Sequence, residues 1–280
     1  MTLAHTVDDR FTTVNGLRWH YLDWGNAGAQ TFFMLHGFGG NAHGFDETAD
    51  SLCDRFHIIA PDQRGHGDTD WATDGYDRGK YVEDFARFVE GLGAQQFVLL
   101  GHSLGGMNAI EYAARYPREV ERLIILDFGP EIVKAGIDRI RQQSREGPEE
   151  FASVEEVFQF MRSQDPAPPD EGLRYRARHA VKQLANGKWA WKYDKALRSP
   201  DRLLRPTVDM SVLWEVLGQI PCETLIIRGE TSDILSRETA ERMQEVLPKG
   251  RWVEVPGAGH RVPLDNFQGF RQVLREFLAV

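Results

Sequence analysis

The chain alternates short apolar runs with stretches of helical period. Phe97-Val98-Leu99-Leu100 is an unbroken apolar run closed by Gly101. Such a run, ended by a turn residue, predicts a strand buried on both faces, as in a parallel sheet. Comparable runs stand at 31–35, 57–60, 120–126, 223–229 and 251–255. Between them Tyr81, Val82, Phe85, Phe88, Val89 and Leu92 mark one face of a helix over 78–92. Further helices are expected at 44–54, 107–116, 237–247 and 267–278, the second of them stopped by Pro117. Near the start, 11–14 and 17–22 flank Asn15-Gly16, a hairpin signal. Strand–helix alternation predicts an α/β fold with a doubly wound, mostly parallel sheet. Loops at the carboxyl ends of such strands carry the site.

From Glu131 to about Thr207 the alternation stops. The stretch is helical in character, rich in Arg, Lys, Glu and Gln, and broken by loops at Gly147-Pro148, 165–169 and Ser199-Pro200. It reads as an inserted helical cap. The expected organisation is a first core part (1–130), the cap (131–207) and a second core part (208–280).

The charge of −9 on 280 residues argues against nucleic acid and anionic membrane surfaces as partners. No apolar stretch reaches membrane-spanning length, and the first nine residues have neither a basic region nor an apolar run, so neither a span nor a signal peptide is expected. The two cysteines, Cys53 and Cys222, each sit beside an apolar run and are expected as buried free thiols, which suits a reducing cytoplasm. No His-Glu-x-x-His or Cys/His cluster is present, so no metal is expected.

The chemistry centres on Gly101-His102-Ser103-Leu104-Gly105, a Gly-x-Ser-x-Gly turn between a strand and a helix. That context lifts a serine hydroxyl above the sheet as a nucleophile. A phosphate loop is excluded because no Lys follows the glycines. A serine needs a base, and the base needs a partner to hold its tautomer. His260, in the glycine-rich loop after the last strand, is the candidate base, since the chain order Ser…acid…His ends there. Two residues compete as the acid: Asp127, which ends the strand after the elbow helix, and Asp233, in the loop after 223–229. Either could instead cap a turn or helix. The oxyanion hole is expected from the amide of Leu104, after the nucleophile, and that of Phe38 in His36-Gly37-Phe38-Gly39-Gly40. His36, His66, His102 and His179 read as structural.

With these residues in place the chain resembles the α/β-hydrolase superfamily. The resemblance spans almost everything outside the cap. It rests on 36–40, on Asp62-Gln63-Arg64-Gly65-His66-Gly67, on 101–106 and on Gly257-Ala258-Gly259-His260. It implies an eight-stranded sheet and acyl chemistry, because the dehalogenase and epoxide-hydrolase branches carry Asp where this chain has Ser103. One departure stands out: most members place the acid as Gly-x-x-Asp, whereas the third residue after Gly229 is Ser232. A minority place it after the strand that follows the elbow helix, and Leu126-Asp127-Phe128-Gly129-Pro130 matches that pattern. Within the superfamily the chain is similar to the groups that hydrolyse acetamidomethylene-succinate and ring-cleavage products, and the first of these favours Asp127.

In this fold the cap roofs the site. Its basic residues and tryptophans suggest a partly aromatic pocket in which an Arg pairs a substrate carboxylate, with Arg162, Arg174 and Trp189 as candidates. A solvated helix face with ordinary ion pairs is the plainer interpretation and takes precedence. The resulting expectation is a hydrolase of a small-molecule ester, lactone or amide, without cofactor, as a monomer or homodimer. C–C bond hydrolysis or perhydrolysis on the same triad, cofactor-free dioxygenation, and a ligand receptor on the same scaffold are the alternatives.

Overall fold

The computed structural model describes residues 3–199 and 210–280. The first core part runs β1 (Asp8–Val14), β2 (Leu17–Asp23), β3 (Gln30–Leu35), α1 (Asp46–Asp50), β4 (Phe56–Pro61), α2 (Arg78–Leu92), β5 (Phe97–His102), α3 (Leu104–Arg115) and β6 (Val120–Leu126). The segment read above as a cap follows as α4 (Lys134–Glu146), β7 (Glu150–Phe151), α5 (Val154–Gln164), α6 (Asp170–Ala180), β8 (Val181–Gln183) and β9 (Trp189–Trp191). The second core part holds α7 (Val212–Leu217), β10 (Glu223–Gly229), α8 (Arg237–Val246), β11 (Gly250–Val255), α9 (Val262–Asp265) and α10 (Phe267–Leu278).

Eight strands form one sheet in the order β1-β2-β4-β3-β5-β6-β10-β11. β1 pairs with β2, and β2 with β4, antiparallel; every other pair is parallel. Side chains of a strand alternate between faces, and both faces are covered. Phe97 and Leu99 of β5 pack with Phe85 and Phe88 of α2, Ala109 and Tyr112 of α3, and Met243 of α8. Val98 and Leu100 pack on the other face, with Phe270, Leu274 and Phe277 of α10. This two-sided burial is why the central strands read as continuous apolar runs. Cys53 and Cys222 are buried free thiols. Among the described residues no helix is long and apolar enough to cross a membrane.

Two expectations about local structure change. The helix expected at 44–54 is a 3-10 turn, Ala42–Phe45, followed by the five residues of α1, after which the chain tightens: Leu52 N bonds to Ala49 O rather than four residues back. The cap is not purely helical. β7, β9 and β8 form a three-stranded antiparallel sheet, and the cap has its own apolar cluster around Phe151, Phe158, Leu173 and Trp191. Asn186-Gly187, with Gly187 at φ +82°, makes the turn between β8 and β9, the same signal that marks the β1–β2 hairpin. Residues 200–207, the last stretch assigned to the cap, lie outside the described residues.

Candidate active site

β5 and α3 meet at Ser103, whose backbone is at φ +53°, ψ −115°. A side chain on either flanking glycine would collide with main chain. A Cβ on Gly101 would lie 2.2 Å from the Gly105 carbonyl oxygen, and one on Gly105 would lie 2.2 Å from that of Leu35. The chain therefore turns in fewer residues than expected, and the helix begins at Leu104 rather than 107. Ser103 N donates to Leu126 O at 3.1 Å, tying the turn to the neighbouring strand. A positive φ on a non-glycine residue is sterically costly and is held only where the surroundings impose it. Ser103 shares this state with Asp127, at φ +48°.

Asp127 and His260 are brought together. His260 Nδ1 donates to Asp127 Oδ2 at 2.7 Å, and Asp127 is fully buried. The carboxylate accepts two further bonds, from Gly229 N at 3.0 Å and from Ser232 Oγ at 2.5 Å. Burial pushes the Asp127 carboxyl up to about 7, and the Ser232 and Gly229 donors oppose that rise. Burial, with Arg139 and Arg261 nearby, pulls His260 down to about 3, so the imidazole is neutral, the form able to accept a proton. Asp233 is elsewhere engaged: Arg139 of α4 grips it at 2.6 and 2.8 Å. His102 donates Nε2–H to the His260 carbonyl at 2.9 Å and so holds the loop that carries the imidazole.

Ser103 and His260 open onto one cavity of about 270 Å³, with Phe38 on its wall. Leu104 is the first residue of α3, where amides have no preceding turn of carbonyls to bond. The turn bearing Phe38 is braced from below. Gln63 N donates to His36 Nε2 at 3.0 Å, so the proton of His36 sits on Nδ1, which donates to Gly37 O at 2.9 Å. Gln63 Nε2 also reaches His36 O at 2.6 Å, and Asn108 of α3 holds Gln63 Oε1 at 2.7 Å.

Arg162 and Arg174, the cap arginines named as candidates, are held in ion pairs within the cap segment. Arg162 bonds to Pro166 O and Asp170, Arg174 to Glu155, and Trp189 pairs with Phe151 in the cap sheet; none lines the cavity. The arginines that do are Arg139, Arg176 and Arg198 of the cap segment and Arg261, next to His260. Arg261 is 3.2 Å from Asp165, and Arg198 bonds to Gly147 O at 3.3 Å. The Arg176 guanidinium makes no hydrogen bond or ion pair with any described residue, and burial with Arg261 nearby lowers it to about 9. Trp191 and Tyr193 supply the aromatic wall instead of Trp189.

Residues 32–273 match the model of the alpha/beta hydrolase family. The 2-(acetamidomethylene)succinate hydrolase of Mesorhizobium japonicum is 31% identical over 229 residues, 82% of this chain and 81% of that protein. The 3-hydroxybutyrate-oligomer hydrolase of Cupriavidus necator is 27% identical over 87% of each chain. Among solved structures, that of an E-2-(acetamidomethylene)succinate hydrolase superposes with a TM-score of 0.88 at 25% identity, covering 98% of this chain and all of that one.

Proposed function

The chain belongs to the α/β-hydrolase family and is a hydrolase, and from that premise we propose that it cleaves a carboxylate-bearing small-molecule ester, lactone or amide through an acyl-enzyme on Ser103. The observation that carries this reading is the buried Asp127–His260 hydrogen bond of 2.7 Å beside the strained serine turn. His260 takes the Ser103 proton as the hydroxyl attacks the carbonyl carbon, then returns it to the leaving group. Asp127 holds Nδ1–H inward, which keeps Nε2 free as the acceptor, and steadies the imidazolium. The Leu104 and Phe38 amides take the oxyanion. Water then repeats the sequence on the acyl-enzyme and frees Ser103.

A fluorophosphonate probe should label Ser103, and Ser103→Ala should abolish labelling and lower kcat by about 10⁶. Activity that survives Ser103→Ala would favour base-only chemistry on the His260–Asp127 pair. A folded wild-type protein that takes no label and cleaves nothing would favour a receptor.

Arg176 supports the carboxylate. A cation enclosed without a partner is costly, and a substrate carboxylate accepted in bidentate fashion offsets that cost. The succinate in the names of the similar hydrolases points the same way. Arg176→Ala should raise KM about 10–100-fold for an ester carrying a free carboxylate. Its neutral methyl-capped analogue should be nearly unaffected. Equal losses on both would assign Arg176 to the cap's structure.

A further inference from the structure

Three side chains, two from one turn of the core and one from the cap, meet beside the cavity, which His43 and His179 line. His43 lies in the turn after β3, Asp46 opens α1, and His179 comes from α6 of the cap. One nitrogen or oxygen of each lies within 4.8 Å of those of the other two. His43 Nδ1 is 2.8 Å from Asp46 Oδ2, and the His43 and His179 rings lie with centroids 3.8 Å apart, tilted by 38°. Tyr175, one helical turn before His179, donates its hydroxyl to Asp46 Oδ2. Asn41 Nδ2 donates to His179 O at 2.8 Å, so core and cap are already joined here.

One feature goes beyond packing. Asp46 is only 1% exposed, yet its Oδ1 has no hydrogen-bond partner. A buried carboxylate oxygen without a donor is unfavourable, and a cation would satisfy it. Two imidazoles beside a carboxylate make a donor set suited to a borderline metal.

We propose that His43, Asp46 and His179 bind a divalent transition ion of the Zn²⁺ type, which clasps the cap to the core at the cavity wall. Two nitrogens and one carboxylate oxygen supply three ligands, and water from the cavity completes four-coordination. The rings part until both nitrogens reach the ~2.0–2.1 Å Zn–N distance. Tyr175 orients the carboxylate from outside the ligand set. The absence of a metal motif in the sequence is no obstacle, because the fold assembles the ligands from core and cap. This inference does not depend on the reaction assigned to Ser103.

The test is calorimetric titration of tag-free, chelator-treated full-length protein with ZnCl₂. Zn²⁺ should bind one ion per chain at this site. His179→Ala should weaken that binding at least about 10–100-fold, and Tyr175→Phe about 10-fold. Cys53→Ser, which removes the thiol from a separate group with His5 and Asp54, should leave it unchanged. Saturating Zn²⁺ should raise the thermal midpoint of the wild type and not that of His179→Ala. His179→Gln, which keeps an amide in the ring's place, provides a second variant should His179→Ala prove poorly folded. No Zn²⁺ uptake by the wild type, or wild-type binding by folded His179→Ala or His179→Gln, would overturn the proposal.

Discussion

Asp127→Asn is expected to lower kcat by about 10⁴ while leaving far-ultraviolet circular dichroism unchanged. Asn keeps the shape of the side chain but can present an N–H where the carboxylate only accepts. The imidazole of His260 then loses the partner that holds its proton on Nδ1, and the wrong tautomer faces Ser103. Asp233→Asn is the matched control. Asp233 is about a third exposed and is bound to Arg139, itself about a third exposed. Such a pair is worth about 1 kcal/mol or less, so kcat should change less than about fivefold. The reverse ranking in steady-state kinetics would transfer the role of the acid to Asp233.

The largest effect on stability is expected from Arg64→Met. Arg64 grips Asp84 of α2 with Nε at 2.6 Å and Nη2 at 3.1 Å, and the two side chains are 3% and 0% exposed. The pair anchors the loop after β4, whose Gln63 braces the turn that presents Phe38. Methionine fills the stem's space but leaves Asp84 only the Asn15 amide, at 2.7 Å. Breaking a buried pair on one side costs about 3–5 kcal/mol, because the remaining charge stays desolvated. The urea midpoint should fall accordingly, with a drop in Tm of roughly 10 °C. Adding Asp84→Leu to Arg64→Met should recover much of the loss, as the double change removes the stranded charge. A single variant as stable as wild type, or a double variant no better than the single, would show that the pair does not anchor the loop.

The central sheet was legible because each inner strand is buried on both faces. The bounds 78–92, 120–126, 223–229 and 267–278 agree with α2, β6, β10 and α10. The elbow was legible because only glycine fits where Gly101 and Gly105 stand. Which aspartate meets His260 was not legible from spacing, since what occupies Asp233 is an arginine on a helix of the cap. The cap arginines are a different case. Leu173, Ala177 and Ala180 form the buried stripe of α6. Arg176 flanks that stripe, whereas Arg174 and Arg178 are exposed, so the helical phase favoured Arg176 over Arg174. The short cap strands carry too few residues for a period to register, although Asn186-Gly187 announced their turn. The meeting of His43 and Asp46 with His179 is purely tertiary and leaves no trace in linear spacing.

Ser232 stands where the family pattern described above would place an acid, and here its hydroxyl donates to the Asp127 carboxylate, which ends a neighbouring strand. Its hydroxyl also accepts from the amides of Ile234 and Leu235 at 3.1 and 3.3 Å, so it organises its own loop while serving Asp127. The two seats are thus electrically exclusive: a second anion at 232 would confront the first across a dry space, and one of them would have to take up a proton. A neutral hydrogen-bonding residue at 232 therefore leaves Asp127 the single carboxylate of this buried space.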